Sequence, residues 1–88
     1  MFLLIYSKDA LNDLAQLDRH ISKRITAKLH FYAQQKDVLA FAKTLQGFRN
    51  RFRFRVGEYR VVFQLEASGE VRILKILRIK NRKDIYEI

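Results

Sequence analysis

The stretch NRFRFRVGEYRVVFQL (residues 50–65) constrains the fold more than any other part of this chain. Arginine alternates with large apolar residues before Gly57–Glu58, and apolar residues return after that pair. Alternation with a period of two indicates a strand with one buried face. A glycine at the first position of a two-residue loop favours a type II′ turn. The stretch therefore predicts a hairpin of two antiparallel strands, at about 51–56 and 59–65.

The two-residue loop also predicts which residues face each other, because the numbers of opposite residues then add up to 115. Arg55 lies opposite Arg60 on one face, with Arg53 and Arg51 behind them on the same side. The other face is expected to join the core through apolar pairs, which are Phe54 with Val61, Phe52 with Phe63, and Val56 with Tyr59.

The first part of the chain predicts a strand followed by two helices. FLLIY (2–6) is typical of a buried strand, and Ser7 is placed to cap a helix from Lys8 to about Asp18. A second helix is expected over 21–35, because its apolar residues recur on one helical face. The short link between the helices predicts an antiparallel helical hairpin.

Residues 37–46 fit either a short helix or an ordered loop, and VRILKILRI (71–79) predicts a last strand after a turn at 67–70. The nearly continuous apolar character of this strand indicates an interior position in the sheet. The predicted fold class is α+β in the order β-αα-βββ, with the N-terminal helical hairpin packed on one face of a mainly antiparallel four-stranded sheet. No linker or repeat divides the chain, so residues 1–88 predict a single domain.

The charge of the chain is strongly positive and unevenly distributed. The formal net charge is +9, with 7 basic and 4 acidic residues in 1–48 against 11 basic and 5 acidic residues in 49–88. An isoelectric point of about 10.3 favours a nucleic-acid partner. An acidic protein and an anionic membrane surface are the alternatives, and the membrane ranks last because the predicted helices resemble ordinary core-packing helices.

Composition also bears on the compartment and on the kinds of site. The chain contains no cysteine, which excludes disulfides and cysteine-ligated metals and fits a cytoplasmic location. The apolar start is too short for a signal peptide or a membrane span. The sequence shows no Ser/His/Asp arrangement, glycine-rich phosphate loop or metal-ligand cluster.

The arginine face of the predicted hairpin needs an explanation, because like charges directly opposite each other destabilise a sheet by a few tenths to about 1 kcal/mol. No acidic residue is expected on this face of the hairpin. A solvated polar face is the ordinary interpretation, but stability alone would favour mixed charges or Thr and Gln. Since the planar guanidinium suits phosphate oxygens, the arginines predict an anion-binding face.

The C-terminal stretch RIKNRKDIYEI (78–88) places an aromatic residue, Tyr86, among basic residues. This combination is typical of proteins that bind single-stranded nucleic acid, in which the ring stacks on a base and the cations hold phosphates. Packing of Tyr86 against the edge of the core is an equal alternative.

The segments LQGFRNRFRFRVGEYRVVFQL and NRKDIY together resemble the RelE branch of the RelE/ParE toxin superfamily. The matching motifs are the leucine-glycine pair (Leu45–Gly47), the basic strand and turn (Arg53–Val62) and the closing segment (Asn81–Tyr86). The order of the predicted elements also matches, so the resemblance covers essentially the whole chain.

The resemblance implies the toxin of a toxin-antitoxin pair. Members of this branch are endoribonucleases that cleave mRNA in the ribosomal A site, where the 2′-hydroxyl of the substrate attacks the adjacent phosphate without a metal or another cofactor. The implied partners are mRNA, ribosomal RNA and a cognate antitoxin, expected to be acidic and to fold on binding. No membrane is implied.

The resemblance also implies roles for individual residues. Arg53, Arg55 and Arg60 would cradle the phosphate, Arg82 would contact the leaving group, and Tyr86 would stack on or orient a nucleotide. Further RNA contacts are expected from the remaining basic residues of the strand and tail, which are Arg51, Arg78, Lys80 and Lys83.

Two departures from the family pattern bear on catalysis. Arg53 and Arg55 stand where lysines are usual, and an arginine stays protonated and is a poor general base. Proton abstraction is then left to Tyr86, to Lys80 or Lys83, or to a ribosomal group. The second departure is an asparagine, Asn81, where the pattern often has histidine.

Two alternative functions remain open on the sequence. One is a non-enzymatic inhibitor of DNA gyrase of the ParE kind, although the basic tail with its tyrosine is unusual in that branch. The other is a relative that binds RNA or the ribosome without cleaving.

Overall fold

The structure of the protein, a computed structural model, describes residues 1–85, and the predicted catalytic residue Tyr86 lies outside this range. The chain runs through its elements in the following order: β1 (Leu3–Tyr6), α1 (Lys8–Ala15), α2 (Arg19–Ala33), a 3₁₀ helix (Val38–Phe41), β2 (Lys43–Thr44), β3 (Arg51–Val56), β4 (Tyr59–Ser68), β5 (Val71–Asn81) and α3 (Arg82–Ile85).

The strands form one sheet in the order β1-β5-β4-β3-β2. β1 runs parallel to β5, and all other neighbouring strands are antiparallel. The α+β class and the interior position of β5 are confirmed. The predicted four-stranded sheet gains a fifth strand, β2, whose two residues are too few to show an alternating pattern. The ambiguous segment 37–46 is thus part 3₁₀ helix and part edge strand.

β3, β4 and β5 are joined by two hairpins, each with a two-residue loop of the same type. The register predicted for β3 and β4 is confirmed at every pair, including Arg55 opposite Arg60. Gly57 has a φ of +59°, whereas Glu58 does not have a positive φ, as a type II′ turn requires and a type I′ turn does not allow. Gly69–Glu70 joins β4 to β5 in the same way, with a φ of +62° at Gly69.

A β-bulge explains why the apolar pattern of β5 is irregular. Val62 pairs with Arg78 but Phe63 pairs with Ile76, so Leu77 is the extra residue on β5. An extra residue shifts the alternation by one position. Both Ile76 and Ile79 therefore face the core, although they are three residues apart.

The core lies between the two long helices and one face of the sheet. Its centre is a stack of three rings, in which Phe54 lies 4.2 Å from Tyr32 and 4.1 Å from Phe63 between ring centroids. Ser7 joins the helices to the sheet, because its Oγ accepts a hydrogen bond from the Ala10 amide at 3.0 Å and its hydroxyl donates to the Leu77 carbonyl at 2.8 Å. The cap predicted at Ser7 is confirmed.

The two loop glycines provide a test of the hairpin geometry. Replacement of either Gly57 or Gly69 with alanine should lower the free energy of unfolding by about 1–2 kcal/mol, because a side chain is strained at positive φ. A Cβ at Gly57 would also lie 2.6 Å from Nη2 of Arg24, whereas the space around Gly69 is open. Because the guanidinium of Arg24 is the end of a flexible side chain that can move away, denaturant unfolding should show losses of similar size for G57A and G69A. An unchanged stability of G69A would contradict this description of the loops.

Candidate functional site

The outer face of the sheet, opposite the helices, carries rows of basic side chains that cross the strands. Opposite residues in antiparallel strands project to the same side, so the register defines each row. We call this surface the basic face. Its rows are Arg55, Arg60 and Lys80; then Lys43, Arg53, Val62 and Arg78; then Arg51, Gln64 and Lys75.

A cleft of about 300 Å³ opens at one edge of the basic face, and we call it the arginine cleft. β2 pairs with β3 only at Arg53 and Phe52. On the N-terminal side of Lys43 the chain forms the 3₁₀ helix, so no strand pairs on the β2 side with the part of β3 that follows Arg53. The cleft forms in this gap. The residues lining it are Ala40, Phe41, Ala42, Lys43, Arg53, Phe54, Arg55 and Arg60.

The arginine cleft brings together three residues that, by the family resemblance, are expected to cradle a phosphate. Arg53, Arg55 and Arg60 all line it, and none of the described residues around it is acidic. Lys43 is a fourth cation, directly opposite Arg53. Sequence reasoning missed Lys43 because its segment carried no periodicity that would assign it to a face. The cleft is thus suited to bind an anion.

The rest of the basic face is less uniform than the sequence predicts. β4 extends beyond the predicted strand and brings Glu66 onto this face, where Gln64 donates a hydrogen bond to it at 3.1 Å. The guanidinium of Arg51 lies 4.6 Å from the ring centroid of Phe48. Arg51 projects from the same face of β3 as the cleft arginines, but it does not line the cleft.

Arg78 and Lys80, two predicted RNA contacts, are ion-paired to Asp13 of α1. The Asp13 carboxylate lies 3.0 Å from Nε of Arg78 and 3.6 Å from Nζ of Lys80. It also accepts a hydrogen bond from the Ile79 amide at 2.8 Å. β1 covers the edge of β5 only up to Ile76, so Asp13 satisfies a backbone donor on an edge that no strand covers.

These contacts lower the pKa of the Asp13 side chain, which is only 9% exposed. Burial raises its pKa, but the hydrogen bonds from Arg78 and the Ile79 amide and the charge of Lys80 outweigh burial, so the pKa lies below its ordinary value. The same pairing raises the pKa of Arg78. Binding of RNA by Arg78 and Lys80 stays a prediction, and it would have to compete with Asp13.

The end of β5 places Arg82 beside the β3–β4 hairpin. The amide of Arg82 donates to the carbonyl of Glu58 at 2.7 Å. Asn81 accepts a hydrogen bond from the Lys83 amide on Oδ1 at 3.0 Å, so the asparagine that stands where the family pattern often has histidine helps to begin α3. Lys83 lines a separate cavity of about 400 Å³ near α1 and is not in the arginine cleft.

Among the side chains that the structure describes, no group of three or more histidine, aspartate or glutamate residues could hold a metal ion. None of the helices described is both long and apolar enough to cross a membrane.

Comparisons with known proteins identify the relatives of this chain. The sequence model of a family described as "ParE toxin of type II toxin-antitoxin system, parDE" matches residues 4–86. The chain is 30% identical over 87 residues to Toxin RelE3 from Methanocaldococcus jannaschii, which covers 96% of this chain and 94% of that protein.

Solved structures show the same fold. A chain of the RelB-RelE antitoxin-toxin complex from Methanococcus jannaschii superposes with a TM-score of 0.67 and 27% identity, covering 94% of this chain and 95% of that one. The isolated E. coli RelE toxin superposes with a TM-score of 0.72 and 18% identity, covering 99% and 93%.

Replacement of Asp13 with asparagine tests how firmly α1 holds the end of β5. Because the folded-state pKa of Asp13 is lowered, the ionised carboxylate contributes stability above the pKa of an ordinary aspartate, about 4. That contribution is lost as the pH falls through the folded-state pKa. We expect D13N to lower the free energy of unfolding at pH 7 by about 1–2 kcal/mol. The difference from the wild type should shrink as the pH is lowered.

The matched control is D18N, since Asp18 is exposed and makes no capping hydrogen bond to α2. Denaturant unfolding from pH 7 to pH 3 measures both variants. Equal losses in D13N and D18N, or a D13N loss that does not depend on pH, would contradict the assignment.

Proposed function

The chain belongs to the RelE branch of the RelE/ParE toxin superfamily of toxin-antitoxin systems, and we propose that it is a ribosome-dependent endoribonuclease that cleaves mRNA in the ribosomal A site. The observation that carries the proposal is the arginine cleft. Arg53, Arg55 and Arg60 line one cavity together with Lys43, so four cationic side chains converge on a single site.

The proposed reaction is an attack of the substrate's own 2′-hydroxyl on the adjacent phosphate. The new bond joins the 2′-oxygen to phosphorus, and the bond from phosphorus to the 5′-oxygen of the next nucleotide breaks. The products are a 2′,3′-cyclic phosphate and a free 5′-hydroxyl. Negative charge accumulates on the phosphoryl oxygens in the transition state, and guanidinium groups held in place around them lower the barrier.

The reaction also needs a group that takes the 2′-proton and a group that protonates the leaving 5′-oxygen. Arginine is a poor general base, because its guanidinium group does not give up a proton in proteins. Lys80 is paired with Asp13 and Lys83 lines another cavity, which disfavours both as the base. Tyr86 and a ribosomal group remain, and Lys43 joins them because it is the lysine that lines the cleft. Arg82, beside the hairpin, is proposed to contact the leaving group.

We also propose a cognate antitoxin as the second partner. The solved relatives include toxins in complex with RelB antitoxins. A chain with a formal charge of +9 favours an acidic partner. Such a partner would cover part of the basic face and inhibit the toxin. A small open reading frame next to this gene, coding for an acidic protein, would support this pairing, and copurification of the two proteins would test it.

Replacement of Arg55 or Arg60 with glutamine should lower the rate of mRNA cleavage by about 10²–10³-fold, the usual effect of removing one group that stabilises transition-state charge. The matched control is R19Q, because Arg19 is exposed at the start of α2 and away from the cleft. The assay is a reporter mRNA in a translation extract, with 5′ ends mapped by primer extension. A 2′-deoxy substitution at the cleaved position should block the reaction.

Four results would contradict the proposal. Intact mRNA in the presence of folded wild-type protein excludes the endoribonuclease, as does cleavage that R55Q and R60Q leave unchanged. Poisoning of DNA gyrase in a supercoiling assay, with mRNA untouched, identifies the ParE-like alternative. Salt-sensitive binding to RNA or ribosomes without cleavage identifies an inactive relative.

A further inference from the structure

Phe41, at the end of the 3₁₀ helix, is an aromatic residue in a strongly cationic place. It lines the arginine cleft together with Lys43 and the three cleft arginines. It nevertheless keeps 44% of its surface exposed. An exposed aromatic ring next to clustered cations is typical of surfaces that bind single-stranded nucleic acid.

The ring of Phe41 is held by aromatic neighbours from α2. Its centroid lies 5.3 Å from that of Tyr32 and 6.1 Å from that of Phe31. Tyr32 in turn stacks on Phe54 in the core at 4.2 Å. The exposed ring is thus anchored to the most buried part of the molecule, and little conformational entropy would be lost when a ligand stacks on it.

We propose that the arginine cleft binds a single nucleotide of single-stranded RNA, with its base stacked on Phe41 and its phosphate held by the cations of the cleft. This inference rests on the proposed function and extends it from the phosphate to the base. A volume of about 300 Å³ lies at the lower end of the range for small-ligand sites. A nucleotide has a flat base and an anionic phosphate a short distance apart. The cleft offers the matching groups, a ring and a cluster of cations.

The lining of the cleft also limits how much sequence it can read. Beside Phe41 stand Ala40 and Ala42, whose side chains have no hydrogen-bonding groups. Stacking on a ring tolerates every base, because each base has a π-face. The site should therefore discriminate weakly among bases and should depend on the presence of a base.

The test is the binding of a short single-stranded RNA to the full chain, measured by fluorescence anisotropy at several salt concentrations. The probe is a 2′-O-methyl oligoribonucleotide, which cannot undergo 2′-hydroxyl attack. We expect Phe41→Leu to weaken binding by about 5- to 100-fold and to leave the salt dependence unchanged, because stacking releases no counterions. Arg55→Gln should instead reduce the slope of log affinity against log salt by about 0.7.

Two matched variants and a second probe isolate the ring. Leu11→Ala removes an apolar side chain that is 54% exposed on α1, outside the arginine cleft, and it should bind as the wild type does. Phe41→Tyr keeps the ring and should retain affinity, which distinguishes stacking from a loss of folding. An oligonucleotide of abasic residues should bind the wild type only as tightly as the intact probe binds Phe41→Leu.

The proposal fails if the wild type does not bind the probe, if Phe41→Leu binds as the wild type does, or if abasic and intact probes bind equally. It also fails if Phe41→Leu weakens binding of a polyglutamate peptide as much as binding of RNA, because the ring would then recognise an acidic protein chain.

The cleavage assay separates this inference from the proposed function. Cleavage by the wild type with normal RNA binding by Phe41→Leu refutes the stacking site alone, whereas stacking without any cleavage refutes the endoribonuclease alone.

Discussion

The packing of Phe54 between Tyr32 and Phe63 is the contact on which the other features of the structure depend. These stacked rings hold β3 against β4 and hold both strands against α2. Because the side-chain period of a strand is two, a slip of one residue would turn the arginines into the core, where an unpaired charge is very costly. The apolar face thus dictates where the arginines lie, although they repel one another.

The arrangement separates the groups that supply stability from the groups that are available for function. Phe54, Val61 and Phe63 are fully buried, while Arg53, Arg55 and Arg60 on the opposite face line a cleft without a described carboxylate. Asp13 shows what stability alone favours along β5, since it forms ion pairs with Arg78 and Lys80 and accepts a hydrogen bond from the Ile79 amide at the uncovered edge. Arg53 and Arg55 have no carboxylate among the described residues that line the cleft, which is consistent with the proposed role of an RNA phosphate as their counter-charge.

The sequence predicts whatever is determined by local periodicity or turn chemistry. The β3–β4 register followed from alternation and from Gly57, and the grouping of the three cleft arginines followed from that register.

Features that depend on contacts distant in sequence could not be predicted. β2 has two residues and no pattern, so Lys43 was missed, and Asp13 meets Arg78 only because α1 packs beside β5. The bulge at Leu77 is an insertion that the apolar run of β5 conceals. Phe41 had no assigned face until the 3₁₀ helix defined one.

The most direct test is a double-mutant cycle on Arg55 and Arg60, with the free energy of unfolding measured for the wild type, R55Q, R60Q and the double variant at low and high salt. The cycle isolates the interaction between the two side chains from their other contacts. An unfavourable coupling of a few tenths to about 1 kcal/mol at low salt, which shrinks at high salt, is the predicted result. A coupling that is zero or favourable would show that the fold does not force like charges together, and it would contradict the proposed origin of the cleft.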